Sequence, residues 1–505
     1  MTVSVNVQQG ADAIRFYLDD ELVELRDVDP TRTLLQYLRE DRRRTGTKEG
    51  CAEGDCGACT VVLAEATTTG RLRLQAVNSC IQFLPTLDGK QLFTVESLGN
   101  ADSLHPVQRA MVDCHASQCG FCTPGFVMTL FAAFKNRERH ERRDIDDELA
   151  GNLCRCTGYR PIIDAAGRMY DYAEETDPTD WLRQPATALR EPSDEERRLA
   201  ARLQQLQRAD CLHVCAGERH FYAPRNADQL AAVLLQEPQA LILSGGTDIG
   251  LWVTKQLQRP EILVYTGQVS ELREIRRGES HLEIGAAVTI SDTMPALLAE
   301  YPELEELLRR FASPPIRNAA TLGGNVANGS PIGDSMPALI VLGATVVLRR
   351  GDVRREIPLE DLYVDYQVKD LQQGEFVESI RIPLRHGTVH FATYKVSKRF
   401  DQDISAVCAA FLVRVEGARI TEAKVAYGGM AAIPKRALRC EEALRNGGWS
   451  EAGVQAASEL LDEDFQPISD MRAGAAYRRM VCRNLLLRFH ASVSAQFVSV
   501  YDYGR

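Results

Sequence analysis

Fourteen cysteines are spread unevenly along the 505-residue chain: nine fall between Cys51 and Cys156, five in the rest. Cys51, Cys56 and Cys59 follow a C-x4-C-x2-C spacing, and Cys80 comes 21 positions after Cys59. This is the plant-type [2Fe–2S] spacing. Two irons and two sulfides need four thiolates, and soft sulfur donors select such a centre over oxygen-loving ions. A loop that supplies three ligands must wrap closely and aim backbone N–H groups at sulfur. Gly50, Gly54 and Gly57 remove the Cβ obstacle to that approach. The N–H bonds offset negative charge and help set the potential. The competing readings are buried free cysteines or zinc, although zinc knuckles favour C-x2-C pairs.

A second set follows. Cys119 and Cys122 form C-x2-C, and Cys154 and Cys156 form C-x-C after 31 intervening residues. Each pair stands just before a predicted helix start. Thr123 reads as an N-cap with Pro124 at the first helical position, and Thr157 and Pro161 hint at a related start. Helix N-termini offer free N–H groups and partial positive charge, which favour thiolate. Taken alone, this set suits zinc as well as iron and sulfide. Beside the first set, a second iron–sulfur centre is expected, and two one-electron centres would make a wire. Cys114, Cys211, Cys215, Cys408, Cys440 and Cys482 lack ligand-like grouping and read as packed thiols.

Two glycine-rich turns come later. Leu243, Ser244, Gly245, Gly246, Thr247, Asp248, Ile249 and Gly250 run from a strand into a loop whose amides could cradle a pyrophosphate. The G-x-G-x-x-G fingerprint is not met. Thr321, Leu322, Gly323, Gly324 and Asn325 form the second turn, which continues through Asn328 to Asp334. Two such loops could grip a dinucleotide from both sides. By composition alone, two surface turns fit equally well.

The elements that must position these residues are readable in outline. Apolar alternation around Asp19-Asp20-Glu21 predicts a hairpin, and Leu34, Leu35 and Leu38 mark one face of a helix over Thr31–Glu40. With the strand after Cys59, this predicts a small mixed domain over 1–95. Four helices are expected over 96–175: His105–Val112, Pro124–Phe134, Asp144–Leu153 and Pro161–Ala173. The charged, Pro-containing stretch 176–210 reads as an interdomain linker or, equally, as a helix with a solvated charged face. Mixed strands and helices follow over 211–388, and strands then helices over 389–505. Strands are expected at Phe391–Tyr394, Ile404–Val415 and Thr421–Gly428.

Composition narrows the function. At 45% hydrophobic and 26% charged, with no apolar run near 18 residues, the composition predicts a folded globular protein, and no spanning helix is expected. The 59 Lys and Arg against 70 Asp and Glu, net −11, argue against nucleic-acid or anionic-membrane partners. Met1–Ala13 lacks a secretory pattern, so a cytoplasmic, reducing location is expected, in which clustered cysteines hold metal.

Together the motifs resemble a known family. C-x4-C-x2-C…C, C-G-F-C-T-P-G-F and N-L-C-R-C-T-G-Y resemble the iron–sulfur half of the xanthine dehydrogenase/molybdenum hydroxylase family. S-G-G-T-D and T-L-G-G-N-V-A-N-G-S-P-I-G-D resemble its FAD domain, and Ala426–Ala437 the C-terminal part of its flavin region. The order resembles the small subunit of the family's two-subunit bacterial members. The resemblance implies a multidomain α+β fold. Its parts are a β-grasp ferredoxin-like domain, a four-helix [2Fe–2S] domain, an FAD-binding domain of the vanillyl-alcohol-oxidase/CO-dehydrogenase flavoprotein type, and a C-terminal α+β subdomain.

The resemblance also implies roles. Cys51, Cys56, Cys59 and Cys80 would bind one [2Fe–2S] cluster, and Cys119, Cys122, Cys154 and Cys156 the other. Leu243–Gly250 would face the FAD pyrophosphate. Phe311, Thr321–Asn325, Asp334, Val377 and Lys395 would contact FAD. Ser313-Pro-Pro-Ile-Arg-Asn318 departs from the commoner family text, which has Gln before Ile-Arg-Asn, and this leaves the path into the second loop open. Electrons from purine hydroxylation would arrive from a molybdopterin-binding large subunit in an α2β2 heterotetramer and leave to NAD⁺. No catalytic acid or base is expected on this chain. Charges in Ser397–Asp403 would influence the choice between NAD⁺ and oxygen. The alternatives are an aldehyde, N-heterocycle or aromatic-thioester hydroxylase, a stand-alone flavin reductase, and a zinc scaffold.

Overall fold

A computed structural model describes residues 11–136, 141–185, 191–417 and 419–493. Met1–Gly10, most of the stretch read for a secretory signal, lies outside them. The chain forms two compact units. The first comprises 1–271 with 289–291 and 312–320; the second comprises 272–288, 292–311 and 321–505.

In the first unit, β1 (Ile14–Leu18) and β2 (Glu21–Leu25) form the expected hairpin, with Leu18 opposite Glu21. Ile14, Phe16 and Leu18 alternate into the core, as a half-buried strand requires. With β3 (Thr60–Ala66), β4 (Leu72–Asn78) and β5 (Gln91–Phe93) they make one sheet in the order β2-β1-β5-β3-β4. β5 runs parallel to β1 and antiparallel to β3, a ferredoxin-like arrangement. Leu34–Gln36 is α-helical, held by a reciprocal capping box between Thr33 and Gln36. It widens to a π turn over Tyr37–Asp41, and Leu34, Leu35 and Leu38 are buried as expected.

Four helices follow: α1 (Pro106–Asp113), α2 (Thr123–Asn136), α3 (Arg142–Leu149) and α4 (Arg160–Ala173). The third stops four residues before the expected Leu153. Gly151–Leu153 instead meets its neighbours: the Gly151 Cβ position lies 2.7 Å from Pro315, and Leu153 N–H donates to Cys56 O at 3.0 Å.

The linker reading of 176–210 is corrected. Lys135 Nζ donates to the carbonyls of Trp181 and Gln184, and Trp181 is buried. Asp194–Leu206 is a helix, α5, capped by Ser193. Its Ala200, Leu203 and Leu206 fall on one face and join the core of α1–α4, while Glu196 accepts from Leu72 N–H at 2.9 Å. The apolar stripe was thin enough to be masked by the surrounding charges. Residues 186–190 lie outside the described residues.

A second sheet in this unit has the order β6-β7-β9-β8, from β6 (Leu212–Ala216), β7 (Arg219–Ala223), β8 (Leu241–Leu243) and β9 (Ile262–Tyr265). Between its strands lie α6 (Ala227–Gln236) and the short α7 (Ile249–Thr254).

The second unit contains a five-stranded sheet, β10 (Ile275–Arg277), β11 (His281–Gly285), β12 (Thr345–Arg350), β13 (Val353–Pro358) and β14 (Phe376–Pro383), ordered β10-β11-β14-β12-β13. α8 (Leu322–Asn328) and α9 (Ser335–Leu342) carry its motif residues. An antiparallel sheet follows in sequence order, from β15 (His390–Val396), β16 (Val407–Glu416), β17 (Arg419–Gly428) and β18 (Lys435–Arg436). Helices α10 (Leu438–Gly447), α11 (Glu451–Glu459) and α12 (Ala475–Val493) pack on it. β16 begins at Val407 rather than the expected Ile404. Ser405 is bonded to Asp334, and the Ala406 carbonyl is held by Arg478. The fold is thus multidomain α+β. Among the described residues, no helix is long and apolar enough to cross a membrane.

Candidate functional site

The first cysteine set is assembled by strand register. Thr60 pairs with Asn78 across β3 and β4, which brings the preceding Cys59 and the following Cys80 to the same end. Ser79 closes that end by donating to the Cys59 carbonyl from both N–H (3.3 Å) and Oγ (2.7 Å). The loop before β3 supplies Cys51 and Cys56. Left-handed backbone at Gly54 and Gly57 turns it, and a Cβ on Gly50 would lie 2.8 Å from Cys56 Sγ. Cys51 Sγ accepts from the amides of Glu53 (3.5 Å) and Cys56 (3.4 Å).

The four thiols bias one another's titration. Bonds from the Cys56 and Cys80 thiols hold Cys51 far below the usual thiol range. Cys59 is lowered by the Cys80 thiol. Cys56 is raised by Cys51 and then by burial, and Cys80 by Cys51 and Cys59 and then by burial. Four cysteines supplied by one loop and one strand end, with two backbone amides directed at Cys51 Sγ, are the donor set an anionic iron–sulfide core needs.

The second set lies at two helix starts. Cys122 immediately precedes α2. Thr123 is the first helical residue rather than the cap, and its hydroxyl pairs with Ser117 Oγ at 2.7 Å. Before α4, Cys154 Sγ lies 3.1 Å from Thr157 Oγ1 and 3.5 Å from Thr157 N. Burial works against a Cys154 thiolate, but these bonds lower its pKa all the same. Cys122 is pushed up to about 12, first by burial and then by its bond to Cys154. Cys119 is lowered by the Phe121 amide and by the Cys156 thiol, which is raised in turn. Cys119 and Cys156 are exposed, amid exposed Phe121, Leu153 and Tyr159. Among the described residues, no group of three or more His, Cys, Asp or Glu closes on a single metal ion.

The two sets share a wall. The Cys56 carbonyl accepts from Leu153 N–H, and the Gly57 carbonyl accepts from Asn152 Nδ2 at 3.2 Å. A Cβ on Gly125, in the first turn of α2, would lie 2.1 Å from Gly57 O. Asn152 in turn accepts from Thr129 Oγ1 at 2.8 Å, which fixes its orientation. Nothing in the spacing of the motifs indicated Asn152.

On its other side the first set meets the first glycine turn. A Cβ on Gly250 would lie 2.8 Å from Ile81 Cβ, next to Cys80, and one on Gly246 would lie 3.2 Å from Ile81 O. Thr254 Oγ1 donates to Ala52 O at 2.8 Å, and Lys255 Nζ donates to Cys51 O. Within the turn, Leu243 and Ile249 are buried, so only backbone is available there. Ser244 bonds Thr266 Oγ1 at 2.6 Å, Thr247 is half-buried and Asp248 is exposed. A Cβ on Gly245 would lie 2.0 Å from Ala319 O. Gly245 and Gly250 are thus required by close backbone packing as well as by any ligand. The small-residue backbone that remains, left-handed at Gly246, fits a phosphate-binding turn.

The other predicted flavin residues lie in the second unit. Thr321 caps α8, accepting from Gly324 N–H at 2.9 Å; Leu322 is buried, and Gly323 lies flat against Ala286. Asn325 Oδ1 accepts from Ser335 Oγ at 2.5 Å. Asp334, at the start of α9, bonds Lys395 Nζ at 2.6 Å through one oxygen and Ser405 Oγ at 2.5 Å through the other. Both side chains of the Asp334–Lys395 pair are almost fully buried. Val377 is buried on β14 opposite Leu348, and Phe311 is half-buried after Arg310.

No motif in the sequence marks Arg310. It donates to Lys395 O (2.9 Å), Ser397 Oγ (3.0 Å) and Phe400 O (3.1 Å), with its guanidinium 4.7 Å from the Phe400 ring centroid. It therefore braces the Ser397–Asp403 segment, in which Arg399 and Asp403 pair at 2.6 Å. Of the six cysteines read as packed, Cys211, Cys408, Cys440 and Cys482 are buried. Cys114 is half-buried beside Arg168. Cys215 is exposed on β6, which corrects that reading.

Comparison with known proteins gives four domain matches in the same order. A 2Fe-2S iron-sulfur cluster binding domain matches residues 16–82, and a [2Fe-2S] binding domain matches 94–167. An FAD binding domain in molybdopterin dehydrogenase matches 216–385, and a CO dehydrogenase flavoprotein C-terminal domain matches 392–493. A xanthine dehydrogenase of Emericella nidulans is 32% identical over 97% of this chain and 39% of its own length. Aldehyde oxidase 2 of Macaca fascicularis is 30% identical over 96% and 39%. The chain spans about two fifths of the length of these curated relatives. The structure of a carbon monoxide dehydrogenase from Hydrogenophaga pseudoflava lacking the Mo-pyranopterin moiety matches with a TM-score of 0.51 at 27% identity, covering 53% of this chain and 94% of that one.

Proposed function

We propose that this chain, which belongs to the molybdenum hydroxylase family, is the electron-transfer subunit of a xanthine dehydrogenase, serving a molybdopterin-binding partner that oxidises hypoxanthine and xanthine to urate. When bound, two [2Fe–2S] centres would relay single electrons and FAD would gather them in pairs for NAD⁺. The chain's own residues place and tune these groups. Cys51, Cys56, Cys59 and Cys80 hold the first centre, and Cys119, Cys122, Cys154 and Cys156 the second. The Leu243–Gly250 turn takes the FAD pyrophosphate, while Phe311, Thr321–Asn325, Asp334, Val377 and Lys395 take the rest of the cofactor. No side chain here acts as the acid or base of hydroxylation.

One observation carries the reading. Within a single unit the second cysteine set abuts the first through Gly57, and the first abuts the glycine turn through Ile81. Sulfur, sulfur and turn are contiguous, as a relay requires. At the open end, exposed Cys119 and Cys156 amid Phe121, Leu153 and Tyr159 supply an apolar surface suited to the partner. The α2β2 assembly, the cytoplasmic location and the domain limits at 1–95, 96–175, 211–388 and 389–505 belong to the same proposal.

The test is purification of the native complex, with iron, acid-labile sulfide and flavin assays and a substrate panel. Hypoxanthine and xanthine should bleach the visible spectrum, and NAD⁺ should restore it. Bleaching by aldehydes or N-heterocycles but not by purines would favour the second reading, which the aldehyde oxidase relative supports. Zinc without labile sulfide would end both.

A further inference from the structure

We propose that Thr157 is a tuning residue of the second iron–sulfur centre: its hydroxyl donates a hydrogen bond to the Cys154 sulfur and raises that centre's reduction potential. This rests on the reading of Cys119, Cys122, Cys154 and Cys156 as cluster ligands. The direction of the bond follows from the geometry. Thr157 Oγ1 already accepts from Tyr159 N–H at 3.2 Å, so its own hydrogen is free to point elsewhere. Cys154 Sγ lies 3.1 Å away. A thiolate ligand has no hydrogen of its own and can only accept. Thr157 N–H also points at the same sulfur, at 3.5 Å, so two donors from one residue converge on it.

The surrounding turn holds this arrangement. Gly158 and Tyr159 are both left-handed, at φ 68° and 69°, a conformation that a tyrosine adopts only when its surroundings enforce it. The Tyr159 hydroxyl accepts from Cys154 N–H at 3.1 Å, tying the end of the turn back to its start. Thr157 is half-buried, which limits competition from water. In the first set, the bonds to Cys51 from Glu53 and Cys56 come from backbone amides, which substitution does not remove. At Thr157 the donor is a side chain, and the sequence can change it. A hydrogen bond to sulfur strengthens as negative charge accumulates there, so it favours the reduced state.

The experiment is an EPR-monitored redox titration of the purified holoprotein as wild type, T157V, T157A and T157S, with the second centre identified as the signal lost in C156S. T157V and T157A should shift the second centre's reduction equilibrium roughly three- to tenfold toward the oxidised form, the worth of one such bond. T157S should titrate like wild type, and the first centre should not move. An unchanged potential in T157V and T157A overturns the proposal. So does a T157S shift as large as that of T157V, which would assign the effect to packing. Loss of the second centre in both T157V and T157A would make Thr157 an assembly residue and overturn it as well. Absence of a second centre from the wild type would instead overturn the ligand reading beneath it.

Discussion

Asp334 and Lys395 are 61 positions apart in sequence, yet they form a 2.6 Å pair from which water is almost excluded. Each was expected to touch FAD, and neither position indicated the other. Removing one charge strands its partner, which typically costs about 3–5 kcal/mol. D334N and K395M should each lower the thermal midpoint and the flavin content. A double-mutant cycle should show the two losses to be far from additive. Additive losses would mean that the pair does not act as a unit. The charges of Ser397–Asp403 belong to the same scale. Arg399 is tied to Asp403, so R399A should loosen the segment. The ratio of NAD⁺ reduction to peroxide production should then change in R399A or D401A; a constant ratio in both would remove the segment from acceptor choice.

Among the elements, backbone contacts decide more than side chains do. Gly245 sits where a Cβ would come within 2.0 Å of a carbonyl oxygen, and neither backbone has a flexible end that could yield. G245A should therefore lower FAD content while leaving iron and sulfide content close to wild type, as read by absorbance and metal assay. G57A faces the same obstruction from Gly151 O at 2.3 Å, with a left-handed φ of 69° in addition. It should deplete the iron–sulfur centres, whereas equal retention of both centres would show that the wall between the two sets is dispensable. Helix α5 shows the limit of periodicity. The apolar part of its buried face is three residues in a run of charges, and only its neighbours distinguish it from a solvated helix.

For the molecule as a whole, buried titratable groups set how stability depends on pH. His105 caps α1, accepting from Val107 N–H at Nδ1, and its Nε2 lies 2.8 Å from Leu182 O. Phe131 and Phe134 stand edge-on to its ring. Protonation would aim a new N–H at an existing one, and burial holds the pKa at about 3. The unfolded chain thus binds more protons between about pH 6.5 and 3, and stability falls as pH drops through that window. Lys135 is held at about 7 by burial, so its contribution to stability rises between pH 7 and its ordinary value of 10.5. Thermal midpoints should fall from pH 6.5 toward 3 in the wild type and fall less in H105Q. Equal slopes would mean that His105 does not carry the acid response.

Residue spacing and local patterning are enough to specify the two sulfur sets, the glycine turns, the mixed α+β class and the order of the parts. Those features are local: a nine-residue loop must carry its own ligands and its own glycines, and a strand or helix carries its own period. What lies between them comes from the folded chain. That Asn152 bridges the two sets, that Ile81 carries the first set to the glycine turn, that Arg310 braces the Ser397–Asp403 segment and that Asp334 meets Lys395 all depend on long-range register. No residue type announces such pairings. They form because buried polar groups must find partners, and the folded chain determines which partners are within reach.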